Sequence, residues 1–176
     1  ARTYFYRLVE ALAHVDKPVE LTETYSGIGR TYFAQEKDSL ALNYFMKALD
    51  NADMHGLGEI IPGCLVRIAS VYEKQGKFLI AISYFERALG MERAAGHNER
   101  TIEILNQMAE IYQKDRNAMQ SIKHAQQALN LSRQSKDSRG IRKACTSLAT
   151  CYKAIGDYKK SLEYLEISMA TKDSLF

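Results

Sequence analysis

The stretch LVRIASVYEKQGKFLIAISYFERAL, residues 65–89, decides the fold of this 176-residue chain. Its apolar and small residues recur three and four positions apart, which is the spacing of amphipathic helices rather than strands. Gly76 and Lys77 interrupt that spacing in the middle of the stretch, where they predict a turn. Residues 65–89 are therefore predicted to form two helices joined by a short connection.

The same pattern recurs every 40 residues without a gap. One column holds the tyrosines Tyr32, Tyr72, Tyr112 and Tyr152. Two further columns hold small residues, namely Gly29, Ala69, Ala109 and Ala149, and Ala41, Ala81, Ser121 and Ser161. Small residues at fixed positions allow paired helices to approach closely. A repeat of this kind buries its apolar face only against its neighbours, which predicts a stack of helix pairs.

These motifs resemble the tetratricopeptide repeat. The segment 65–72 (Leu-x-x-Ile-Ala-x-x-Tyr) matches the large–Leu–Gly–Tyr spacing of the family, and 81–88 (Ala-x-x-x-Phe-x-x-Ala) matches its Ala–aromatic–Ala spacing. The period of 40 residues is similar to the longer-helix subclass rather than to the common form of about 34 residues. The resemblance implies an all-α, right-handed solenoid of antiparallel helix pairs, with about 4.5 repeats and about nine helices.

The register places the whole chain, residues 1–176, in a single array. The repeats fall at 18–54, 58–94, 98–134 and 138–173. Residues 1–15 match the second helix of a repeat, because Tyr4, Phe5 and Leu8 fall in its apolar columns. We therefore expect a chain cut from a longer array at both ends. An unpaired helix at 1–15 would expose apolar side chains, which predicts self-association through this segment as an alternative role.

Composition excludes several classes of protein. The chain is 46% apolar with only 2 prolines, which is too apolar for a disordered segment. It contains no apolar run long enough to span a membrane. The net charge is +3 overall, with −2 over residues 1–114 and +5 over residues 115–176. A basic run stands around the last loop between repeats, at Arg133, Lys136, Arg139, Arg142 and Lys143.

That basic run has three readings: a solvated surface, a site for an acidic protein partner, and a nucleic-acid site. No recognition-helix signature and no interleaved aromatic residues accompany it, so we expect no nucleic-acid partner. The compartment is left open, since a bacterial cytoplasm and periplasm both suit the sequence.

No catalytic, metal or cofactor site is expected. Gly27-Ile28-Gly29 imitates part of a dinucleotide fingerprint, but no strand precedes it. The four histidines share no column and no metal-ligand spacing, so they are interpreted as solvated or capping residues. The three cysteines show no CxxC spacing and are interpreted as small buried side chains. The sequence thus predicts a protein that is not an enzyme.

The resemblance implies a concave groove lined by the first helix of each repeat. The corresponding positions are Ser26, Arg30, Phe33, Val66, Arg67, Ser70, Lys74, Asn106, Gln107, Glu110, Gln113, Lys143, Thr146, Thr150 and Lys153. Family members that clamp a chaperone tail carry a Lys and an Asn one turn apart. The pairs at those positions are Ser26/Arg30, Val66/Ser70, Asn106/Glu110 and Thr146/Thr150, so we expect no clamp of that kind.

The resemblance implies a non-catalytic scaffold for protein or peptide binding, by groove recognition of a peptide or partner helix. The Gly156-Asp157-Tyr158 turn and residues 172–176 are similar to repeat arrays of bacterial signalling proteins, which precede a histidine kinase or DNA-binding output domain. This implies a sensing or partner-docking region in signal transduction by a larger regulatory protein. Eukaryotic scaffold proteins that bind peptide motifs, and bacterial peptide-pheromone receptors, are the rival classes.

Overall fold

The computed structural model describes residues 17–173, and over this range the chain is helical without a strand. Its eight helices are α1 (Pro18–Ala34), α2 (Asp38–Met54), α3 (Ile61–Lys74), α4 (Phe78–Ala94), α5 (Asn98–Lys114), α6 (Ala118–Gln134), α7 (Ser138–Ala154) and α8 (Tyr158–Asp173). The helix predicted at residues 1–15 lies outside the described residues. The chain divides into two compact units, residues 1–88 and 89–176.

Within each unit, consecutive helices pack side by side. In the first unit α2 contacts both α1 and α3. In the second unit α5 contacts α6, α6 contacts α7, α7 contacts α8, and α5 also contacts α7. The core of these contacts is the small and apolar columns of the repeat: Ala41, Ala48, Ala109 and Ala128 have no exposed surface. Packing of this apolar area, rather than helix propensity, stabilises helices of this length.

Seven corners separate the helices at intervals of 20 residues. Each contains one residue with φ between +55° and +83°, namely Glu36, Gly56, Gly76, Gly96, Arg116, Lys136 and Gly156. The N–H of the next residue donates to the carbonyl five positions earlier at 2.8–3.0 Å in every corner. This is the six-to-one bond of a Schellman motif, which satisfies a free carbonyl at the end of the helix. The corners therefore stop each helix in the same way.

The first two helices approach closely at Gly29. A Cβ atom at this position would lie 2.5 and 2.6 Å from two ring carbons of Phe45. The Phe45 side chain is only 2% exposed. The missing side chain on α1 thus makes the space that the ring on α2 fills, as in the dense packing of protein interiors.

An aromatic pair joins the two helices of each repeat. The ring centroids lie 5.3–5.8 Å apart in the pairs Tyr32–Tyr44, Tyr72–Tyr84, Tyr112–His124 and Tyr152–Tyr164. His124 replaces tyrosine in the third pair, is only 8% exposed, and its Nδ1 has no hydrogen-bond partner in the described part of the chain. The interpretation of every histidine as solvated or capping is therefore wrong for His124, because this residue occupies the tyrosine column of the second helix.

His124 should make the stability of the protein depend on pH. Burial lowers the pKa of its imidazole, and the charges of Lys123 and Arg93 lower it further. Since folding favours the neutral ring, the free energy of unfolding should fall as the pH drops below the unfolded-state pKa of about 6.5. The His124→Tyr variant restores the pair seen in the other repeats and should lose this part of the pH dependence. Thermal unfolding of both proteins between neutral pH and about pH 5 measures the difference.

The exposed His55 provides the control for that experiment. The His55→Gln variant should keep the pH dependence of the parent protein, because the His55 ring is solvated at the end of α2. Equal pH profiles for the parent and the His124→Tyr variant would contradict the prediction.

The three cysteines are buried and unpaired, as the sequence predicted. Burial raises the pKa of the Cys64 thiol to about 11, and burial also raises the pKa of Cys145. A thiol with a raised pKa carries little thiolate at neutral pH and is a poor nucleophile. These side chains act as small apolar packing groups.

Candidate functional site

The groove positions predicted in the first unit lie on α1 and α3, and most are at least partly exposed. Arg30 is exposed and Arg67 is half-buried. Burial lowers the pKa of the Arg67 guanidinium, and the positive charge of Arg30 lowers it further. Ser26, Val66 and Ser70 are half-buried. This face therefore holds two arginines whose charges repel each other.

One end of the same face is already occupied by internal contacts. The Nζ atom of Lys74 lies 3.1 Å from Oδ1 of Asp38 and 5.1 Å from the centre of the Phe33 ring. The ammonium group thus makes both an ion pair and a cation–π contact. Lys74 and Phe33 would have to give up this arrangement before they could contact a partner.

In the second unit, five predicted positions meet around one cavity. The cavity has a volume of about 300 Å³ and is bounded by α5, α7 and α8. Its lining consists of Glu110, Gln113, Arg142, Lys143, Thr146, Ser147, Thr150 and Ser168. A volume of this size accommodates one or two amino-acid side chains, at the lower limit of ordinary ligand pockets.

The hydroxyl groups of this cavity are oriented by their own helix. Thr146 Oγ1 donates to the carbonyl of Arg142 at 2.9 Å, and Thr150 Oγ1 donates to the carbonyl of Thr146 at 2.9 Å. Because these hydrogens are used within α7, the oxygen lone pairs are left to accept hydrogen bonds. Gln113 Nε2 donates to the carbonyl of Ser147 at 3.2 Å, which joins α5 to α7. The cavity wall therefore offers acceptors for N–H groups.

Charges of both signs complete the cavity. Arg142 and Lys143 provide two cations, and Glu110 provides one carboxylate. Within residues 17–173, none of these three side chains forms an ion pair. Acceptor hydroxyls beside donor cations suit a peptide segment, which presents both N–H and C=O groups.

Two predicted positions on α5 lie deeper than expected. Asn106 is only 2% exposed, and neither atom of its amide has a hydrogen-bond partner among the described residues. The Oε1 atom of Gln107 is likewise buried without a partner there. The start of α7 covers Asn106, since Asp137, Gly140 and Lys143 stand around the same small cavity. The other two predicted positions on these helices, Glu110 and Lys153, are exposed.

The structure also adds residues that the groove prediction omitted. Arg142, Ser147 and Ser168 line the cavity although no groove position was predicted there. Arg142 had a signal in the sequence, because it belongs to the basic run. The structure divides this run: Arg142 and Lys143 line the cavity, whereas Arg139 pairs with Glu99 at 3.8 Å.

The described residues show neither of two other kinds of site. Between residues 17 and 173, no cluster of three or more histidine, cysteine, aspartate or glutamate side chains is arranged to hold a metal ion. In the same part of the chain, none of the helices is long and apolar enough to cross a bilayer.

Solved structures with the same fold extend beyond this chain. BtubC (BKLC) from P. vanneervenii has a TM-score of 0.90 at 18% identity, with 99% of this chain and 73% of that one covered. Aspartyl phosphate phosphatase F from Bacillus subtilis has a TM-score of 0.88 at 17% identity, and the match covers 98% of this chain but only 45% of the phosphatase. The apo form of RapI has a TM-score of 0.88 at 16% identity, with coverages of 99% and 64%. At these identities the similarity shows the fold alone.

Family models provide the sequence counterpart of this similarity. No curated protein matches the chain as a whole. Two models described as tetratricopeptide repeat match it, one at residues 100–173 and the other at residues 62–94, and together they cover more than half of its length. The matched ranges contain the repeated tyrosines and the small columns of the helix pairs described above. The chain belongs to the tetratricopeptide repeat family.

Proposed function

We propose that this protein is a non-catalytic scaffold that binds a peptide or a segment of a partner protein on the first-helix face of its repeats. The observation behind the proposal is the α5–α7 cavity, where five of the predicted groove residues meet: Glu110, Gln113, Lys143, Thr146 and Thr150. Tetratricopeptide repeats generally serve as scaffolds rather than as enzymes, which supports the same reading. The proposal keeps a single right-handed array with repeats at 18–54, 58–94, 98–134 and 138–173.

The chemistry of the cavity supports a peptide as ligand. The free lone pairs of Thr146 and Thr150 accept hydrogen bonds from backbone N–H groups. Arg142 and Lys143 donate to carbonyl or carboxylate oxygens. Glu110 stands ready for a donor on the ligand. Because both signs of charge are present, the cavity favours a dipolar backbone over a simple anion.

A place in a regulatory protein is the second part of the proposal. Two of the similar structures, aspartyl phosphate phosphatase F and RapI, are longer chains, of which this chain matches 45% and 64%. An array of this kind therefore occurs as one part of larger proteins. We place the present chain in the same position, as the sensing or partner-docking region of a signalling protein.

Peptide selection tests the binding site directly. Peptides recovered from a random displayed library on the immobilised chain should bind the Thr146→Trp variant at least about tenfold more weakly, a loss of about 1.4 kcal/mol, because the indole fills the cavity. The Lys143→Glu variant should lose affinity as well, through reversal of the cavity charge. Matched controls are Gln126→Trp and Lys123→Glu on α6, where both side chains are exposed and outside the cavity. Peptides that bind all four variants equally, or no recovered peptide at all, would count against the proposal.

A further inference from the structure

The last helix, α8, exposes a continuous apolar stripe. Its members are Tyr158, Leu162, Leu165 and Met169, with exposed fractions of 70%, 58%, 43% and 68%, and we refer to these four residues as the α8 seam. On the side of α8 that faces α7 the contacts are made. Ser161 Oγ donates to the carbonyl of Ala149 at 2.9 Å, and the Tyr164 ring stacks on that of Tyr152. The seam is therefore the adjacent, uncovered side of a helix that is well packed.

The same positions are covered in the earlier second helices. Met169 corresponds to Leu49 and Leu129, which are 6% and 3% exposed. In the first unit α3 packs on α2, and in the second unit α7 packs on α6. The surface that buries these positions elsewhere is thus another helix. The α8 seam has the shape of a surface that receives a helix lying alongside it.

The spacing of the seam favours a second copy of itself. The four residues are 4, 3 and 4 positions apart, which is the a/d spacing of a coiled coil. This order reads the same in both directions, so an antiparallel two-fold arrangement would place Tyr158 opposite Met169 and Leu162 opposite Leu165. Isologous interfaces of this kind are self-complementary. We propose that the protein self-associates by packing α8 antiparallel on α8 of a second copy.

The charges beside the seam agree with the antiparallel orientation. Lys159 and Glu166 follow Tyr158 and Leu165 and occupy the e positions. Both are exposed, and neither forms an ion pair within residues 17–173. In an antiparallel pair Lys159 of one copy faces Glu166 of the other, and the symmetry makes this contact twice. A parallel pair would instead set these residues beside the buried Ser161 and Ser168, without a complementary charge.

The area of the seam sets the strength of the dimer. The 16 residues of α8 extend about 24 Å at 1.5 Å per residue, and only one side of the helix is available. A single helix pair buries much less than the roughly 800 Å² per partner of a standard interface. The dimer should therefore be weak and concentration-dependent, with dissociation in the micromolar range or above. This proposal is independent of peptide binding at the α5–α7 cavity.

Sedimentation velocity across a wide range of concentrations tests the dimer. The 176-residue chain should shift reversibly from monomer to dimer, and the Leu162→Asp variant should remain a monomer at every concentration. Leu162 is 58% exposed, so the substitution leaves the monomer folded, which circular dichroism checks. The control is Glu163→Lys, an exposed residue that is not part of the seam and should not affect the dimer. A chain that stays monomeric throughout, or a dimer that survives Leu162→Asp, would overturn the proposal.

Charge reversal tests the orientation of the two helices. The Lys159→Glu and Glu166→Lys variants each place like charges opposite one another, so each should dissociate about three- to tenfold more readily than the parent. A mixture of the two variants should dimerise, since one copy then offers only glutamate and the other only lysine at positions 159 and 166. Failure of the mixture to associate would rule out the antiparallel register.

Two further outcomes point to other occupants of the seam and would also overturn the proposal. A dimer that is lost in Phe5→Asp but not in Leu162→Asp would assign self-association to residues 1–15. A monomer that binds a synthetic peptide of residues 138–154, which has the first-helix pattern, would show that the seam takes a repeat-type helix in place of α8.

Discussion

Replacing Phe45 by alanine is expected to lower the free energy of unfolding by about 3–5 kcal/mol, as for other large-to-small changes in a packed core. The ring is 2% exposed and fills the space above Gly29. Its removal leaves a cavity that α1 and α2 cannot close without shifting. Urea unfolding of both proteins, monitored by circular dichroism, measures the loss. The control is the half-buried Phe78, whose replacement by alanine should cost clearly less.

The partner of Phe45 provides a sharper test, because its effect should change sign. In the parent protein, Gly29→Ala should destabilise by about 1–3 kcal/mol, since the new Cβ would overlap the ring. In the Phe45→Ala background the same change should stabilise by about 0.5–1 kcal/mol, the ordinary preference of a helix for alanine over glycine. Equal effects in the two backgrounds would show that the two residues are not coupled.

Gly140→Ala is expected to be the second large effect. A Cβ at this position would lie 2.8 Å from Cγ2 of Ile102 and 2.5 Å from Oδ2 of Asp137, and it would also overlap Ser132 Oγ. Overpacking of this kind costs about 1–3 kcal/mol. The side chain of Asp137 accepts the N–H of Gly140 at 3.0 Å, so its displacement would cost about 1 kcal/mol more through the lost N-cap.

The matched control for Gly140 is the exposed Gly90, within α4. A Cβ at Gly90 meets no atom within 4 Å. Gly90→Ala should therefore raise the free energy of unfolding by up to about 1 kcal/mol through helix propensity alone. Thermal unfolding of the two variants should shift in opposite directions. A Gly140→Ala protein as stable as the Gly90→Ala protein would contradict the close approach of α5 and α7.

Most of the helical architecture follows from the 40-residue period. The columns of Tyr72 and Ala69 fix which side of each helix is buried, because only a helix returns those positions to one face. The prediction of stacked helix pairs is local in origin, and the structure agrees with it in both units. The ninth helix, at residues 1–15, stays a prediction.

The cavity was less accessible to sequence reasoning. The groove positions were assigned one helix at a time, whereas Ser168 reaches the cavity from α8, which carries a different register. Asn106 reads as a polar surface residue, yet Gly140 lets the start of α7 lie over it. His124 was misread because a histidine in a tyrosine column has no local signal of burial. Each case depends on contacts between helices that no single helix pattern contains.

The seven corners have a consequence for how such a chain changes length. The turn at Gly76, inside a repeat, and the turn at Gly96, between repeats, use the same positive φ and the same Schellman bond. The backbone therefore does not distinguish the two kinds of junction, and only side chains decide which helices form a pair. A chain of this kind can gain or lose single helices as well as whole repeats, so the basic modular step is 20 residues rather than 40. An array with an odd number of helices is as natural for this backbone as one with an even number.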